Sequence, residues 1–306
     1  MSVVVPAKDE RETLVPLYER ICAALEPMGD PFEIVFIDDG STDASFEIMR
    51  ELHEKDPRVR VLRFNANHGK APALAAGFTE ARGRIIVTID ADLQDEPAEI
   101  PHLIEKLNEG YDLVSGWKKD RHDPLEKRLF SKFFNYVVAR ASGIPLHDFN
   151  CGLKCYRTEV LERVHLYGEM HRFVPVLAGR YGFRIGEIPV THHPRTSGRS
   201  KYGMERILRG FLDFGTVMFF THYVQRPSHL FGRLGLTVSF LGLIVLVLCL
   251  IFMSNNWFNA GGIALAISIV LFLMGFQAII LGLIAEMLTY MLRGNEPPYF
   301  INERLG

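Results

Sequence analysis

Two long stretches of the chain carry no charged residue at all, Leu234–Met253 and Ala260–Ala285. The first, roughly 20 residues, covers roughly 30 Å as a helix, the hydrocarbon thickness of a bilayer. The second, roughly 26 residues, is long enough to span with tilt. A soluble protein would have to bury both as core helices, and two such runs in tandem call for a very large core. They read instead as a transmembrane hairpin. The connector Ser254–Asn259 (SNNWFN) is short and uncharged, with Trp257 placed for a membrane interface. The opposite flanks carry Arg226, Arg233, Arg293 and Arg304. The positive-inside rule then puts both flanks, and the large segment before them, in the cytosol, with a bacterial plasma membrane as the expected location.

Composition narrows the remainder. Over 306 residues the net charge is −2, which leaves no nucleic-acid footprint. Met1 is followed by SVVVP and then by acidic residues, too short an apolar run for a signal peptide. Cys22, Cys151, Cys155 and Cys249 lack the spacing of a disulfide framework or zinc site and read as free thiols.

Before residue 117 the pattern alternates. Apolar strands are expected at Ser2–Pro6, Glu33–Ile37, Val59–Phe64, Arg84–Ile89 and Asp112–Ser115. Helical periodicity separates them at Glu10–Leu25, Asp43–Lys55 (N-cap Thr42 or Asp43), Lys70–Ala81 and Pro97–Asn108. Strands alternating with helices predict an α/β fold with a mostly parallel sheet covered on both faces. Right-handed crossovers gather the strand C-termini on one edge, where ligands of open α/β sheets bind. Four strands in succession end there in polar or acidic residues: Lys8-Asp9-Glu10, Asp38-Asp39, Asn65 with Asn67, and Asp90 with Asp92. Further along, helices are expected at Leu129–Ala141 and Gly168–Tyr181, a turn and strand at Asp148–Arg157, and a strand at Phe183–Val190. Basic segments flank them at 118–128 and 192–202, and Met204–Tyr223 is amphipathic and aromatic-rich, as an interfacial helix would be. The division expected is a cytosolic domain at 1–202, an interfacial helix at 203–230, the hairpin at 231–293 and a cytosolic tail at 294–306.

Two carboxylates one residue apart after a strand, Asp90 and Asp92, can converge on Mg²⁺ or Mn²⁺, which prefer oxygen ligands and bridge to phosphates; Gln94 could add a ligand. No GxxxxGKS/T loop is present, and no GxGxxG follows the first strand, which argues against a P-loop enzyme or a dinucleotide dehydrogenase. Asp38-Asp39 suits hydrogen bonds to a nucleoside, or a helix-capping turn.

The segments VVVPAKDE, DDGSTD, NHGKAPALAAG and DADLQDEP, in that order, resemble family 2 glycosyltransferases with the GT-A nucleotide-sugar fold. DFNCGLKCYR, GEMHRFVPVLA and PRTSGRSKYG extend the resemblance, over residues 2 to about 220, to the polyprenol-phosphate glycosyltransferases, the group that includes dolichol-phosphate mannose synthase and the bactoprenol glucosyltransferases. The resemblance implies a nucleotide-sugar donor, a polyprenyl phosphate acceptor, Mg²⁺ or Mn²⁺, and inversion at the anomeric carbon. It implies a first nucleoside-binding segment at Pro6, Ala7, Asp9 and Glu10, where the family often has Tyr-Asn-Glu and only Glu10 matches firmly. Asp38 matches a second nucleoside contact, and Gly69 and Lys70 a glycine turn near the base. Asp90, Ala91, Asp92 and Gln94 match the metal and diphosphate segment. Lys118, Arg128, Arg195, Arg199, Ser200 and Lys201 match cationic or polar positions that hold phosphates, Lys118 replacing a frequent Arg and with it a two-pronged contact. Asp148 matches an acidic residue near the sugar, to orient the acceptor, accept a sugar hydroxyl or act as base. His171 and Arg172 would face the sugar or the membrane interface. His192 and His193 could bind metal but read more simply as structural. Processive synthases of the family carry QxxRW and many spans; here Gln225-Arg226-Pro227 breaks that motif, so one sugar per cycle is expected.

A phosphate acceptor has a second pKa near about 6 and is largely ionised at neutral pH, so it needs cations to position it more than a base to activate it. A neutral lipid hydroxyl would need a base, and a non-enzymatic scaffold would need neither carboxylate. Among donors a UDP-sugar is favoured, glucose first, with GDP-mannose next. The glycines at 235, 242, 275 and 282 allow close helix packing, within the chain or between copies in a homo-oligomer. Truncating the chain after about residue 225 is expected to leave nucleotide binding largely intact while strongly reducing transfer to a membrane-embedded acceptor, read by calorimetric titration and by lipid-product assay.

Overall fold

The computed structural model describes residues 1–119, 125–164, 170–193, 215, 227–254 and 258–292. The chain divides into two compact units, Met1–Val217 and Met218–Gly306. The first contains β1 (Ser2–Ala7), α1 (Leu14–Leu25), β2 (Glu33–Asp38), α2 (Ser45–Lys55), β3 (Val59–Arg63), α3 (Lys70–Glu80), β4 (Ile85–Thr88), α4 (Ile100–Asn108), β5 (Leu113–Trp117), α5 (Leu125–Ser142), β6 (Lys154–Arg157), α6 (Thr158–Arg163), α7 (Val174–Arg180) and β7 (Ile185–Pro189).

The strands form one seven-stranded sheet in the order β3-β2-β1-β4-β6-β5-β7. Strand β6 runs antiparallel to β4 and β5, and the remaining pairs are parallel. A parallel sheet must be covered on both faces, and side chains alternate along a strand, so successive residues are all apolar. Val3, Val5, Ile34 and Phe36 pack with α1, α2 and α4 on one face. Val4, Val35 and Ile37 pack with α3, α6 and α7 on the other. A third cluster seats α5 through Phe134 and Val138 against Phe149 and Phe173.

Helix α1 begins at Leu14 rather than at Glu10. The backbone N–H of Glu10 donates to Ser45 Oγ at 2.8 Å, which ties the turn before α1 to the start of α2. Helix α2 begins at Ser45, and Asp43 accepts from the Ser45 N–H at 2.9 Å. The amphipathic segment Met204–Tyr223 lies outside the described residues apart from helical residue 215, as does Trp257.

The second unit holds α8 (Pro227–Ser254) and α9 (Phe258–Leu292). Pro227–Ile251 and Gly262–Leu288 are long and apolar enough to cross a membrane. Their Leu, Ile, Phe and Met side chains are largely exposed, unlike those of core helices in a soluble protein. Small residues let the two backbones touch: a Cβ on Gly235 would stand 2.4 Å from the Gly275 carbonyl oxygen, and one on Gly275 only 2.1 Å from Ser239 Oγ. The glycine spacing thus serves packing within this hairpin. At one end of the pair, Glu286 accepts the Ser228 N–H at 3.1 Å, capping the first turn of α8.

Candidate active site

The carboxyl edge of the sheet collects the predicted residues, but several face inward. At the end of β1, beyond Pro6 and Ala7, Asp9 adopts a left-handed φ of 54°. Its carboxylate accepts from the Thr42 N–H at 2.7 Å, and that bond holds its pKa below the usual range. At the end of β2 the Asp38 side chain is fully buried; Oδ1 accepts from the Ser41 N–H at 2.9 Å and Oδ2 lies 3.4 Å from Arg63 Nε. Asp38, expected to contact the nucleoside, is thus closed inside its own turn, with Oδ2 making no hydrogen bond. Asp39 turns the other way and accepts from the His68 and Gly69 N–H groups at 2.7 and 2.9 Å. It thereby pins the 65–69 loop, where Gly69 has φ 95°.

That loop delivers Lys70 to an unexpected place. Its ammonium pairs with Asp90 Oδ1 at the end of β4, which brings the expected glycine turn up to the acidic pair. After Asp90 the chain buries Ala91, passes Asp92, bends at Leu93 (φ 57°) and closes with Gln94 N–H donating to Asp92 Oδ1 at 3.2 Å. At the neighbouring Gly152 a Cβ would stand 2.5 Å from Asp90 Oδ2, so a side chain there must push the carboxylate aside. Its carbonyl accepts from Thr88 Oγ1 at 2.8 Å, locking the 148–152 loop to the end of β4.

Asp95 and Lys118 form the most enclosed ion pair of this edge. Asp95 is 1% exposed, with the Lys118 Nζ at 2.6 Å and His192 Nδ1 at 3.5 Å. Burial disfavours the Asp95 carboxylate, but Lys118 and His192 outweigh it and hold its pKa well below the ordinary 3.8. Burial likewise opposes the Lys118 ammonium, and the surrounding negative charge more than offsets it, raising its pKa. Lys118, expected to hold a phosphate, is therefore committed mainly to Asp95. His193 Nε2 lies 3.0 Å from Glu96 Oε2, and the His193 backbone N–H donates to the Gln94 carbonyl at 2.8 Å. Both histidines thus brace the acidic loop, and their side chains meet Asp95 and Glu96.

Asp148 is buried, its Oδ1 accepting from the Asn150 N–H at 3.0 Å and its own N–H donating to Glu187 at 3.0 Å. Glu187 also holds His147, whose ring stacks on Trp117 at 4.2 Å. Trp117, Lys118, Lys119, Lys132, His147 and Asp148 line a cavity of about 220 Å³, with Ser131 and Asn135 of α5 completing it. Lys154, which the sequence did not single out, is 3% exposed beneath this edge. Its ammonium donates to the carbonyls of Phe149 and Cys151, tying down the loop that carries Asp148. Burial lowers the Lys154 pKa and pushes the Cys151 thiol up to about 12. Of the remaining predicted positions, Arg128 is in α5 with its side chain outside the described residues, and Arg195, Arg199, Ser200 and Lys201 lie outside them entirely. His171 and Arg172 fall in the turn before α7. Asp95, Lys154 and Glu187 were missed because a lone charge in sequence does not announce a buried partner. Asp95 stands one residue from Gln94, the only hint available.

A mostly parallel α/β sheet with a DxD turn at its carboxyl edge fits a GT-A glycosyltransferase architecture. Residues 2–164 match the Glycosyl transferase family 2 model, and the chain belongs to that family. It is 38% identical to a dodecaprenyl-phosphate galacturonate synthase of Rhizobium johnstonii, covering 99% of this chain and 92% of that one. It is 34% identical to an undecaprenyl-phosphate 4-deoxy-4-formamido-L-arabinose transferase of Edwardsiella ictaluri, covering 98% and 93%. Glucosyl-3-phosphoglycerate synthase from Mycobacterium tuberculosis, solved with Mn²⁺, UDP and phosphoglyceric acid, shares the fold at a TM-score of 0.56 and 20% identity, over 72% of this chain and 77% of that one.

Two substitutions test this geometry. Gly152→Ala must displace the Asp90 carboxylate and is expected to lower kcat on the order of 10²-fold in folded enzyme, read by steady-state kinetics alongside circular dichroism. Asp95→Asn strips a buried ammonium of its counter-charge and is expected to cost about 3–5 kcal/mol, read as a lower thermal midpoint in detergent. With the folded-state pKa of Asp95 depressed, the pair stabilises fully above the ordinary 3.8 and loses that contribution as pH falls below it. Asp95→Asn removes this acid limb from the stability profile.

Proposed function

We propose that the protein transfers one sugar, with inversion, from a nucleotide-sugar to a polyprenyl phosphate at the cytosolic face of a membrane. The observation that carries this reading is the extent of the likeness: relatives named for sugar transfer to polyprenyl phosphates match 98–99% of this chain, its sheet edge and both its candidate spans included. Asp90, Asp92 and Gln94 would hold Mg²⁺ or Mn²⁺. Among the described residues no group of three His, Cys, Asp or Glu side chains converges on one point. Two carboxylates and an amide nevertheless suit these ions, which usually keep waters and take substrate phosphate oxygens. Such an ion supplies charge neutralisation for the leaving nucleoside diphosphate. Lys70, beside Asp90, adds a cation on the same side. The nucleoside lies along Ala7–Glu10 and the 66–69 loop.

The acceptor phosphate enters the cavity beside Asp148, where Lys119 and Lys132 draw in its charge; Arg128 and the basic 195–201 segment are the further cations the sequence offers it. Because the ionised phosphate attacks unaided, Asp148 orients it and the sugar. UDP-glucose remains the first donor to test. Lys119 and Lys132 of the cavity and the galacturonate-named relative favour a second reading, a donor whose sugar carries a carboxylate.

The test is mass spectrometry of lipid products from undecaprenyl phosphate with UDP-glucose, UDP-galacturonate and GDP-mannose, with Mg²⁺ or Mn²⁺. A sugar monophosphate-linked to the prenol is expected, and a product formed only on diacylglycerol or ceramide overturns the reading. At saturating metal, Asp148→Asn is expected to lose less than about 10²-fold and to retain more activity than Asp92→Asn; an equal loss would make Asp148 the base.

A further inference from the structure

The cavity beside Asp148 carries two hydrogen-bond acceptors that no described residue pairs. Asn135, on α5, is 6% exposed and lines that cavity. Its Nδ2 donates to the His147 carbonyl at 2.9 Å, which fixes the direction of the amide. Oδ1 is the other end, buried and without a hydrogen-bond partner. Buried acceptors are paired in the great majority of cases, and an unpaired one on a cavity wall marks a place where a ligand brings the donor.

The second acceptor is on His147, which lines the same cavity. Glu187 accepts the backbone N–H groups of His147 and Asp148, each at 3.0 Å, so its carboxylate acts as an acceptor. The His147 Nδ1, 2.8 Å from that carboxylate, therefore carries the proton between them. The ring lies flat on Trp117, with 4.2 Å between centroids and 17° between planes. In the neutral imidazole this leaves Nε2 as a lone pair with no partner among the described residues, on a side chain 65% exposed.

We propose that Asn135 and His147 read hydroxyl groups of the transferred sugar, Asn135 Oδ1 and His147 Nε2 each accepting one sugar O–H. The inference rests on the proposed function and adds to it the residues that choose the sugar. A fully ionised phosphate has acceptor oxygens only and satisfies neither atom, whereas a sugar hydroxyl satisfies either. The cavity holds about 220 Å³, less than the roughly 300–1,000 Å³ of sites that enclose a drug-sized ligand, and suits one pyranose ring rather than a nucleoside. Lys119 and Lys132 are left for the oxyanions. Glu187 is a positioning residue: by taking the Nδ1 proton it makes Nε2 the atom that meets the ligand. A site built this way rejects a sugar that lacks the hydroxyl, because the acceptor then stays unpaired.

The experiment uses the full chain in detergent with UDP-glucose, UDP-galacturonate and the monodeoxy analogues of each. The readouts are kcat/KM for product on undecaprenyl phosphate and calorimetric titration of the donor alone. The wild type is expected to prefer a parent donor over one of its deoxy analogues by about tenfold or more, and Asn135→Ala to bring that ratio to about one. Losing the bond to the His147 carbonyl slows parent and analogue alike and leaves the ratio in place. An unchanged ratio in Asn135→Ala therefore overturns the proposal, as does a wild type that treats every analogue as its parent. His147→Phe keeps an aromatic ring on Trp117 and makes the same comparison for Nε2. It is expected to level the ratio at the hydroxyl that Nε2 reads, and ratios unchanged for every analogue overturn the proposal, also where Asn135→Ala fails to fold by circular dichroism. Should the wild type make no prenyl-linked product, the proposed function fails while the titration ratios still decide this inference. Prenyl transfer without any deoxy discrimination overturns the inference and leaves the function standing.

Discussion

Asp95 and Lys118 face each other at 2.6 Å, the carboxylate buried and the ammonium nearly so. Removing two charges from solvent costs several kcal/mol each, and the cost is recovered only when the partners stay in register. That requirement ties together segments far apart in sequence. Asp95 continues the acidic loop after β4, Lys118 leaves the end of β5, and His192 follows β7 and bridges to Asp95 through the backbone. Three strand ends are held as one edge, and the loop that carries Asp90, Asp92 and Gln94 cannot move independently of them.

The rest of that edge is built from the same kind of pairing. Asp90 meets Lys70, Glu96 meets His193 and Arg20, Asp39 meets two backbone amides, and Lys154 meets two carbonyls. Each group has an internal partner that sets its direction. Carboxylates oriented in advance lose little freedom when a cation or a diphosphate binds, which is the physical content of preorganisation. Gly152 extends this economy to the backbone: the absence of a side chain lets the 148–152 loop approach Asp90 closely and brings Asp148 to the same edge.

The hairpin obeys a different rule. In hydrocarbon, apolar side chains gain nothing by contacting each other rather than lipid, so helices adhere where small residues let backbones come close. Gly235, Gly242 and Gly275 provide that contact between α8 and α9, and their Leu and Ile neighbours face outward. The two units of the chain thus fold by opposite logic, one hiding apolar residues and the other exposing them.

Much of this was legible from residues alone. Hydrophobic run length declared the candidate spans, short apolar strands between helices declared the sheet, and the DxD turn and its companion motifs declared the family, because these signals depend on local spacing. Direction and partnership were not local. Nothing in KCYR marks β6 as antiparallel, and the Lys70 that follows a glycine turn gives no sign that its charge reaches Asp90. Asp38 looked available and is enclosed, while Asp95 and Lys154 looked ordinary and are buried. The amino-acid sequence by itself determined which segments cross apolar space and which carboxylates end strands. Only the tertiary structure decided which charges face a ligand and which neutralise one another, since a Coulomb pair forms between groups brought together by the fold, whatever their separation along the chain.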